Sequence, residues 1–315
     1  MTLDLRYGMQ FPRFNFDGVG PADIFERLSA AAVTAEQSGF DTLFVMDHFW
    51  QLAMIGPPEL PMMEGYLTLA ALAARTETAK LGTLVTGVTY RNPALLAKEV
   101  TTLDVISGGR ALLGIGAAWY EEEHRGLGFD FPPMKERFER LEDALHICKA
   151  MFTEERPTFQ GKHFRIEGAL NEPRPLRPGG PPIMIGGSGE KKTLRFVAEH
   201  ADASNLVCAI EEIPHKLEVL AGHCADLGRD PSTVNKSWLG SMVIAPTHDE
   251  AATKIDALTG GRPTNRIIWG GPDEVAEQVK ERLLGVGLDG VVFNLPYDGF
   301  DTDVVALAGE TLKSI

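Results

Sequence analysis

Residues 39–50 read GFDTLFVMDHFW, and this stretch decides how the rest of the chain is read. From Thr42 to Met46 it is a short, nearly unbroken apolar run, the pattern of a parallel strand buried on both faces. The run ends on Asp47 and His48. Comparable runs lie at 5–11, 81–86, 111–116, 182–185, 203–207, 238–245 and 290–295, which makes eight in all. Helical patterns separate them. Asn92 and Pro93 form a cap followed by a first-turn proline, after which Leu96, Val100 and Leu103 share one face. Met134, Phe138, Leu141, Leu145, Cys148 and Phe152 recur at helical spacing, with charged residues between them. Pro272 opens another helix with Val275, Val279 and Leu283 inward. Alternating strands and helices predict a parallel sheet of the α/β class. Eight such units predict a closed (β/α)8 TIM barrel rather than an open sheet.

A length of 315 residues suits one barrel with insertions, so residues 1–315 are read as a single domain. Two stretches break the rhythm. Residues 49–64, after the second strand, contain Pro57, Pro58 and Pro61; residues 154–181, after the fourth, are rich in proline and hold a hairpin-like piece around Gln160 and Gly161. Long loops on barrels are expected to be lids or substrate walls, and the substrate pocket is placed partly under the first. A net charge of -14 disfavours nucleic acid and anionic membrane as partners. No apolar run approaches the ~18 residues of a membrane span, and residues 1–10 lack the layout of a signal peptide. Cys148, Cys208 and Cys224 are odd in number and show no metal spacing. They read as reduced thiols, and the expected location is the cytoplasm.

Barrel sites lie at the C-terminal strand ends. Those ends carry Gln10, Asp47, His48, Thr86, Gly87, Gly116, Ala117, Gly186, Gly187, Ser188, Asn205 and Asn294. Of these only Asp47 and His48 titrate, and no strand end offers the His and carboxylate set of a metal-dependent barrel, so no metal ligand is assigned. A rim so poor in acids and bases implies that a cofactor carries the chemistry. Two glycine-rich turns are the candidate cradle. Residues 114–119, GIGAAW, miss the dinucleotide fingerprint because Trp119 fills the sixth position. Residues 186–191, GGSGEK, miss the P-loop because Glu190 precedes Lys191. The second turn still exposes backbone N–H groups at a helix start, a phosphate site by helix-end electrostatics. The alternative is a turn that only lets strand and helix pack. Asp47 and His48 have a plainer reading too, as a structural cap, and Trp50 and Trp119 fit ring stacking or ordinary packing.

The ordered set of segments resembles the bacterial luciferase-like superfamily, in its coenzyme F420 (deazaflavin)-dependent branch. The matching pieces are 39–50, then LGTLVTG at 81–87 with Arg91, Asn92 and Pro93, then Ser107 to Arg110 through Gly116. WYEEEH at 119–124, Arg137 with Leu141 and Glu142, and 182–189 continue the series. The resemblance implies hydride transfer between the deazaflavin and an organic substrate, with His48 as the catalytic proton relay. It implies a cofactor cradle of Asp47, Leu84, Val85, Thr86, Gly87, Gly116, Ala117, Ala118, Gly187, Ser188, Gly189 and Lys191. A non-prolyl cis peptide is implied between Leu84 and Val85, and Trp50 and Trp119 are candidate substrate contacts. Sugar-phosphate dehydrogenases of the resembled family carry a glutamate acid where this chain has Trp119. That departure argues against sugar-phosphate oxidation and leaves His48 as the only evident relay. FMN is the alternative cofactor, in a luciferase-like monooxygenase, and a non-catalytic flavin- or deazaflavin-binding protein is the reading from another class. Implied partners are a small-molecule substrate, a second copy in a homodimer, and an F420 or flavin reductase that supplies reduced cofactor. The apolar residues 52–55, LAMI, point to a hydrophobic or aromatic substrate.

Overall fold

The structure is a computed structural model that describes residues 3–262, 264–296 and 298–315. Its barrel strands are β1 (Tyr7–Phe11), β2 (Thr42–Val45), β3 in two pieces (Lys80–Thr83 and Thr86–Gly87), β4 (Leu113–Gly116), β5 (Ile183–Gly186), β6 (Ala203–Leu206), β7 (Asn235–Ile244) and β8 (Gly290–Asn294). The sheet runs from the first piece of β3 through β2, β1, β8, β7, β6, β5 and β4 to the second piece of β3. The path therefore begins and ends on one strand, and Leu81 bridges to Ala111 across the seam. The eight expected runs are the eight barrel strands, and every pairing among them is parallel.

Two corrections concern strands. The run 81–86 is broken at Leu84 and Val85, whose peptide bond is cis, as the resemblance implied. A further parallel strand, Ile267–Gly270, pairs with the last four residues of β7 and was not anticipated. Only four residues long and hard against Gly271 and Pro272, it carries no local pattern distinct from the start of the next helix.

The helices are α1 (Ile24–Ser38), α2 (Gly65–Ala73), α3 (Pro93–Ser107), α4 (Glu121–Leu127), α5 (Met134–Thr153), α6 (Thr193–His200), α7 (Ile213–Asp226), α8 (His248–Thr259), α9 (Pro272–Gln278) and α10 (Thr302–Lys313). The Asn92 side chain accepts from Ala94 N at 2.9 Å to start α3, and Gly108 takes the left-handed cap at its end. Leu96, Val100 and Leu103 are buried as expected. In α5 Leu141, Leu145, Cys148 and Phe152 are buried, but Met134 at the first turn is exposed.

Most of the core lies between the barrel and its helices. A smaller cluster of Leu5, Phe44, Leu84, Leu112, Met184, Ala203 and Val292 draws on most of the strands and fills the barrel itself. Within it Leu84 keeps 8% exposure while Phe44, Met184 and Val292 have none, so Leu84 marks the floor of the mouth.

Residues 49–64 contain no helix or strand. They are fastened to the segment after the neighbouring strand β1, where the buried Gln51 donates to Pro12 O at 3.0 Å and Arg13 donates to Ile55 O. The second insertion does not line the mouth. Its hairpin, Phe159–Gln160 with Arg165–Ile166, sits on α5, where Asp143 accepts from the backbone of Lys162, His163 and Phe164. Leu176 N and Asn171 bind Asp104 and Thr101 of α3. The segment follows α5, and a helix-to-strand connection leaves at the end of the barrel away from the site. Among the described residues no helix is long and apolar enough to cross a membrane.

Candidate active site

The mouth is built on two stretches of rim. On the first, β2 delivers Asp47 and His48, and the turn after β4 starts α4, whose third residue is Glu123. Glu121 and Glu122 are exposed, whereas Glu123 is fully buried against β2. One of its oxygens, Oε1, accepts from Phe49 N at 2.6 Å and Trp50 N at 3.2 Å. The other, Oε2, meets His48 Nδ1 at 2.9 Å and accepts from the Tyr90 hydroxyl. Burial alone would raise this carboxyl, but the bonds from His48, Tyr90 and Phe49 outweigh it and hold Glu123 below the usual carboxylate range. The same burial, with the carboxylate beside it, pushes the Tyr90 phenol up, so Tyr90 donates.

Glu123 was not anticipated as a site residue. It corrects the expectation that His48 stands alone, and that only Asp47 and His48 titrate at the rim. His48 itself is nearly enclosed, with 12% of its side chain exposed. Its ring lies edge-on to Trp119 and Tyr120, each at 5.9 Å. No protein group described here bonds Nε2, and that atom is not among those sealed from solvent.

Asp47 is buried, and both its oxygens take a bidentate grip from Arg91 at 2.7 and 3.0 Å. Arg91 also reaches Glu64 at 2.5 Å and lies over the Tyr66 ring at 4.8 Å. Despite its own burial, the guanidinium is held firmly protonated by Asp47. The carboxylate expected to meet a cofactor is thus committed to fixing Arg91 and the start of α3. Thr86 is committed as well: its hydroxyl bonds Tyr66 and Thr83, each at 2.7 Å.

Within the first stretch, between β2 and β4, lies the break in β3. Gln10 Nε2 donates to Leu84 O at 2.9 Å, which fixes the break from the β1 side. Val85 turns its side chain over the glycines of β4 and β5. A Cβ at Gly116 would stand 3.1 Å from Val85 Cγ2, and one at Gly186 2.8 Å from Val85 Cγ1. Gly116 therefore has a packing reason of its own, beside any cofactor contact. A Cβ at Gly87 would press on the Tyr90 ring at 2.8 Å. Ala118 holds a positive φ of 59°, and Arg137 of α5 donates to the carbonyls of Ala117 and Ala118 from behind.

The second stretch, β5 into α6, is made of backbone. Gly187 has φ +120°, a conformation that favours glycine. The Ser188 hydroxyl accepts from Val207 N at 2.8 Å and keeps its own proton to donate. No side chain caps α6; Leu194 N is taken by Gly189 O at 3.0 Å, which leaves the N–H of Thr193 before it to an anion, as a cofactor phosphate requires. Gly189 and Lys191 are exposed, while Glu190 is turned away to Lys216 at 2.6 Å and His215 at 3.1 Å. The residues present thus fit a phosphate-bearing ring cofactor.

Of the two tryptophans, Trp119 is 53% exposed and stacked on Tyr120 beside His48. Trp50 is half-buried against α4, where a Cβ at Gly126 would strike its ring at 2.2 Å. Among the described residues no group of three or more His, Cys, Asp or Glu is placed to hold a metal ion.

This arrangement has relatives. An F420-dependent glucose-6-phosphate dehydrogenase of Intrasporangium calvum is 30% identical over 315 aligned positions, covering 89% of this chain and 90% of the relative. The coenzyme F420-dependent tetrahydromethanopterin reductase of Methanopyrus kandleri superposes with a TM-score of 0.81 at 18% identity, covering 99% of both chains. The oxygenating constituent of 3,6-diketocamphane monooxygenase of Pseudomonas putida, a type II Baeyer–Villiger monooxygenase in complex with FMN, gives 0.75 at 19%, covering 99% of this chain and 97% of that one. At such identities the two structures share the fold with this chain. The family profile described as luciferase-like monooxygenase matches residues 5–266, a span that takes in β1 to β7 and both stretches of rim. What separate motifs suggested piecemeal thus holds across most of the sequence, and the chain belongs to the luciferase-like monooxygenase family.

Proposed function

We propose that this protein is a coenzyme F420-dependent oxidoreductase that moves a hydride between the deazaflavin and an organic substrate. The observation that carries the reading is the division of the mouth: one stretch of rim offers backbone donors for a phosphate, and the other holds one open imidazole nitrogen backed by a buried carboxylate. The bound deazaflavin supplies two-electron hydride chemistry that the side chains lack. The chain supplies the rest. Gly187, Ser188, Gly189 and Lys191 bind the phosphate arm, and the turn at Ala117 and Ala118, braced by Arg137, holds the polar arm. Leu84, Val85, Thr86 and Gly87 form the shelf under the ring, with Asp47 acting through Arg91. His48 takes the proton that accompanies hydride loss from a substrate, or returns it in the reverse direction. The full-length curated relative named for F420 supports the deazaflavin over FMN.

The substrate is a separate matter. That relative is named for glucose 6-phosphate, yet Trp119 stands where the sugar-phosphate enzymes of the family carry an acid. Exposed Met54 on the mouth loop and exposed Trp119 support an apolar or aromatic substrate. Exposed Leu67 on α2 with Leu95 and Ile106 on α3 support the homodimer. A separate F420 or flavin reductase completes the cycle by recharging the cofactor.

Calorimetric titration of the purified protein with F420 and with FMN tests the reading. It is followed by mixing the loaded enzyme with a panel of alcohols, ketones and glucose 6-phosphate. Binding of F420 in preference to FMN, with reduction or oxidation by a panel member, is the expected outcome. Tight FMN binding with no F420 binding would overturn it in favour of a luciferase-like monooxygenase. F420 binding with no turnover on any substrate would favour the non-catalytic binder.

A further inference from the structure

The buried carboxylate behind His48 has a consequence for which ring nitrogen carries the proton. Three donors and His48 Nδ1 converge on Glu123, two contacts on each oxygen. Two of them, Phe49 N and Trp50 N, are backbone N–H groups that can only donate. The third is the Tyr90 hydroxyl, which donates to Oε2. With Oε1 holding two donors and Oε2 holding Tyr90, the group is an acceptor throughout. The fourth contact, at His48 Nδ1, is satisfied when Nδ1 bears hydrogen. Neutral His48 then has its lone pair on Nε2, the nitrogen with no protein partner among the described residues.

We infer that Glu123 is a positioning residue that locks His48 as the Nδ1–H tautomer, so that Nε2 is the atom exchanging a proton with the substrate. The inference rests on the hydride-transfer reading above and deepens it. In the oxidative direction a substrate C–H bond breaks and gives its electron pair, as hydride, to the deazaflavin. The substrate's O–H or N–H proton passes to Nε2, and His48 becomes a cation stabilised by Glu123. In the reductive direction each transfer reverses.

The geometry makes replacement of Glu123 by its own amide unusually informative. A glutamine offers one acceptor oxygen and one NH2 group. The two fixed backbone N–H groups require that oxygen, so the NH2 faces His48 Nδ1 and Tyr90. Nδ1 must then accept, and the hydrogen moves to Nε2. Glu123→Gln therefore inverts the tautomer while keeping the shape of the side chain.

The test is nitrogen NMR of protein labelled in its histidine rings, without cofactor or substrate, at mildly alkaline pH, with His48→Gln used to assign the signals. The expected result is Nδ1–H for His48 in the wild type and Nε2–H in Glu123→Gln. Tyr90→Phe, which removes a donor and leaves the acceptor facing His48 intact, keeps Nδ1–H. Steady-state kinetics of Glu123→Gln should show kcat lower by about a hundredfold or more, the scale of a lost general base, with KM and F420 affinity within a few-fold of wild type. An Nε2–H form in the wild type would overturn the inference without any variant having to fold. So would a Glu123→Gln enzyme that keeps both Nδ1–H and its kcat. The expected tautomers in a protein that never turns over deazaflavin would uphold the locked imidazole and overturn the reaction assigned to it.

Discussion

The two sides of the barrel mouth are made of different materials. Around β2, β3 and α4 the rim is dense with charge, yet nearly every polar atom is taken: Asp47 by Arg91, Glu123 by four partners, Thr86 by Tyr66 and Thr83. At β5 and α6 the rim is glycine and backbone, with no side-chain cap and an exposed lysine. A satisfied network fixes positions and leaves one nitrogen free to react, whereas unsatisfied backbone donors invite a ligand. Chemistry and binding thus fall on different stretches of the same rim, which meet where β4 pairs with β5. Substitutions on the first side should act on stability or turnover, and those on the second on cofactor affinity.

The contrast breaks most visibly at Arg91. Replacing it by methionine leaves Asp47 buried without its partner, with Glu64 and Glu99 close by. The expected loss is about 3–5 kcal/mol of stability, read as a lowered midpoint in urea unfolding. A midpoint equal to wild type would mean that water reaches Asp47. Next comes Gly187. At φ +120° an alanine is strained, and Gly187→Ala should cost about 1–3 kcal/mol and weaken F420 binding more than it alters kcat. The smallest effect belongs to Lys191. The side chain is exposed and forms no ion pair among the described residues. Lys191→Ala should change stability by less than about 0.5 kcal/mol and F420 affinity a few-fold, a difference that added salt erases. Equal F420 affinity at low salt would remove Lys191 from the cradle.

What the sequence made legible follows the range of the interactions. The strand at Thr42–Val45, the capped α3 and the buried face of α5 are written in residues a few positions apart, and the structure has them where the pattern put them. Glu123 was illegible for the opposite reason. It lies 75 residues from His48, within three consecutive glutamates that resemble an ordinary acidic helix start. The signal that could have found it is its place two residues beyond Glu121 in a first turn facing β2, which only the fold supplies. Arg110 and Arg137 were matched to the family as motif residues, but their work is in long-range bonds to backbone carbonyls. Arg110 reaches those of Ala73, Thr76 and Ala79, and Arg137 those of Ala117 and Ala118. The insertion at 154–181 was visible as an insertion. Its composition carried no information about which end of the barrel it would cover, and it packs on α3 and α5.

One paired measurement tests the separation directly: F420 binding by calorimetry and deazaflavin turnover, both on wild type and on His48→Ala. The expected result is that the alanine variant binds F420 within about twofold of wild type while kcat falls by about a hundredfold or more. Loss of F420 binding in the variant, or unchanged turnover with binding intact, would contradict it.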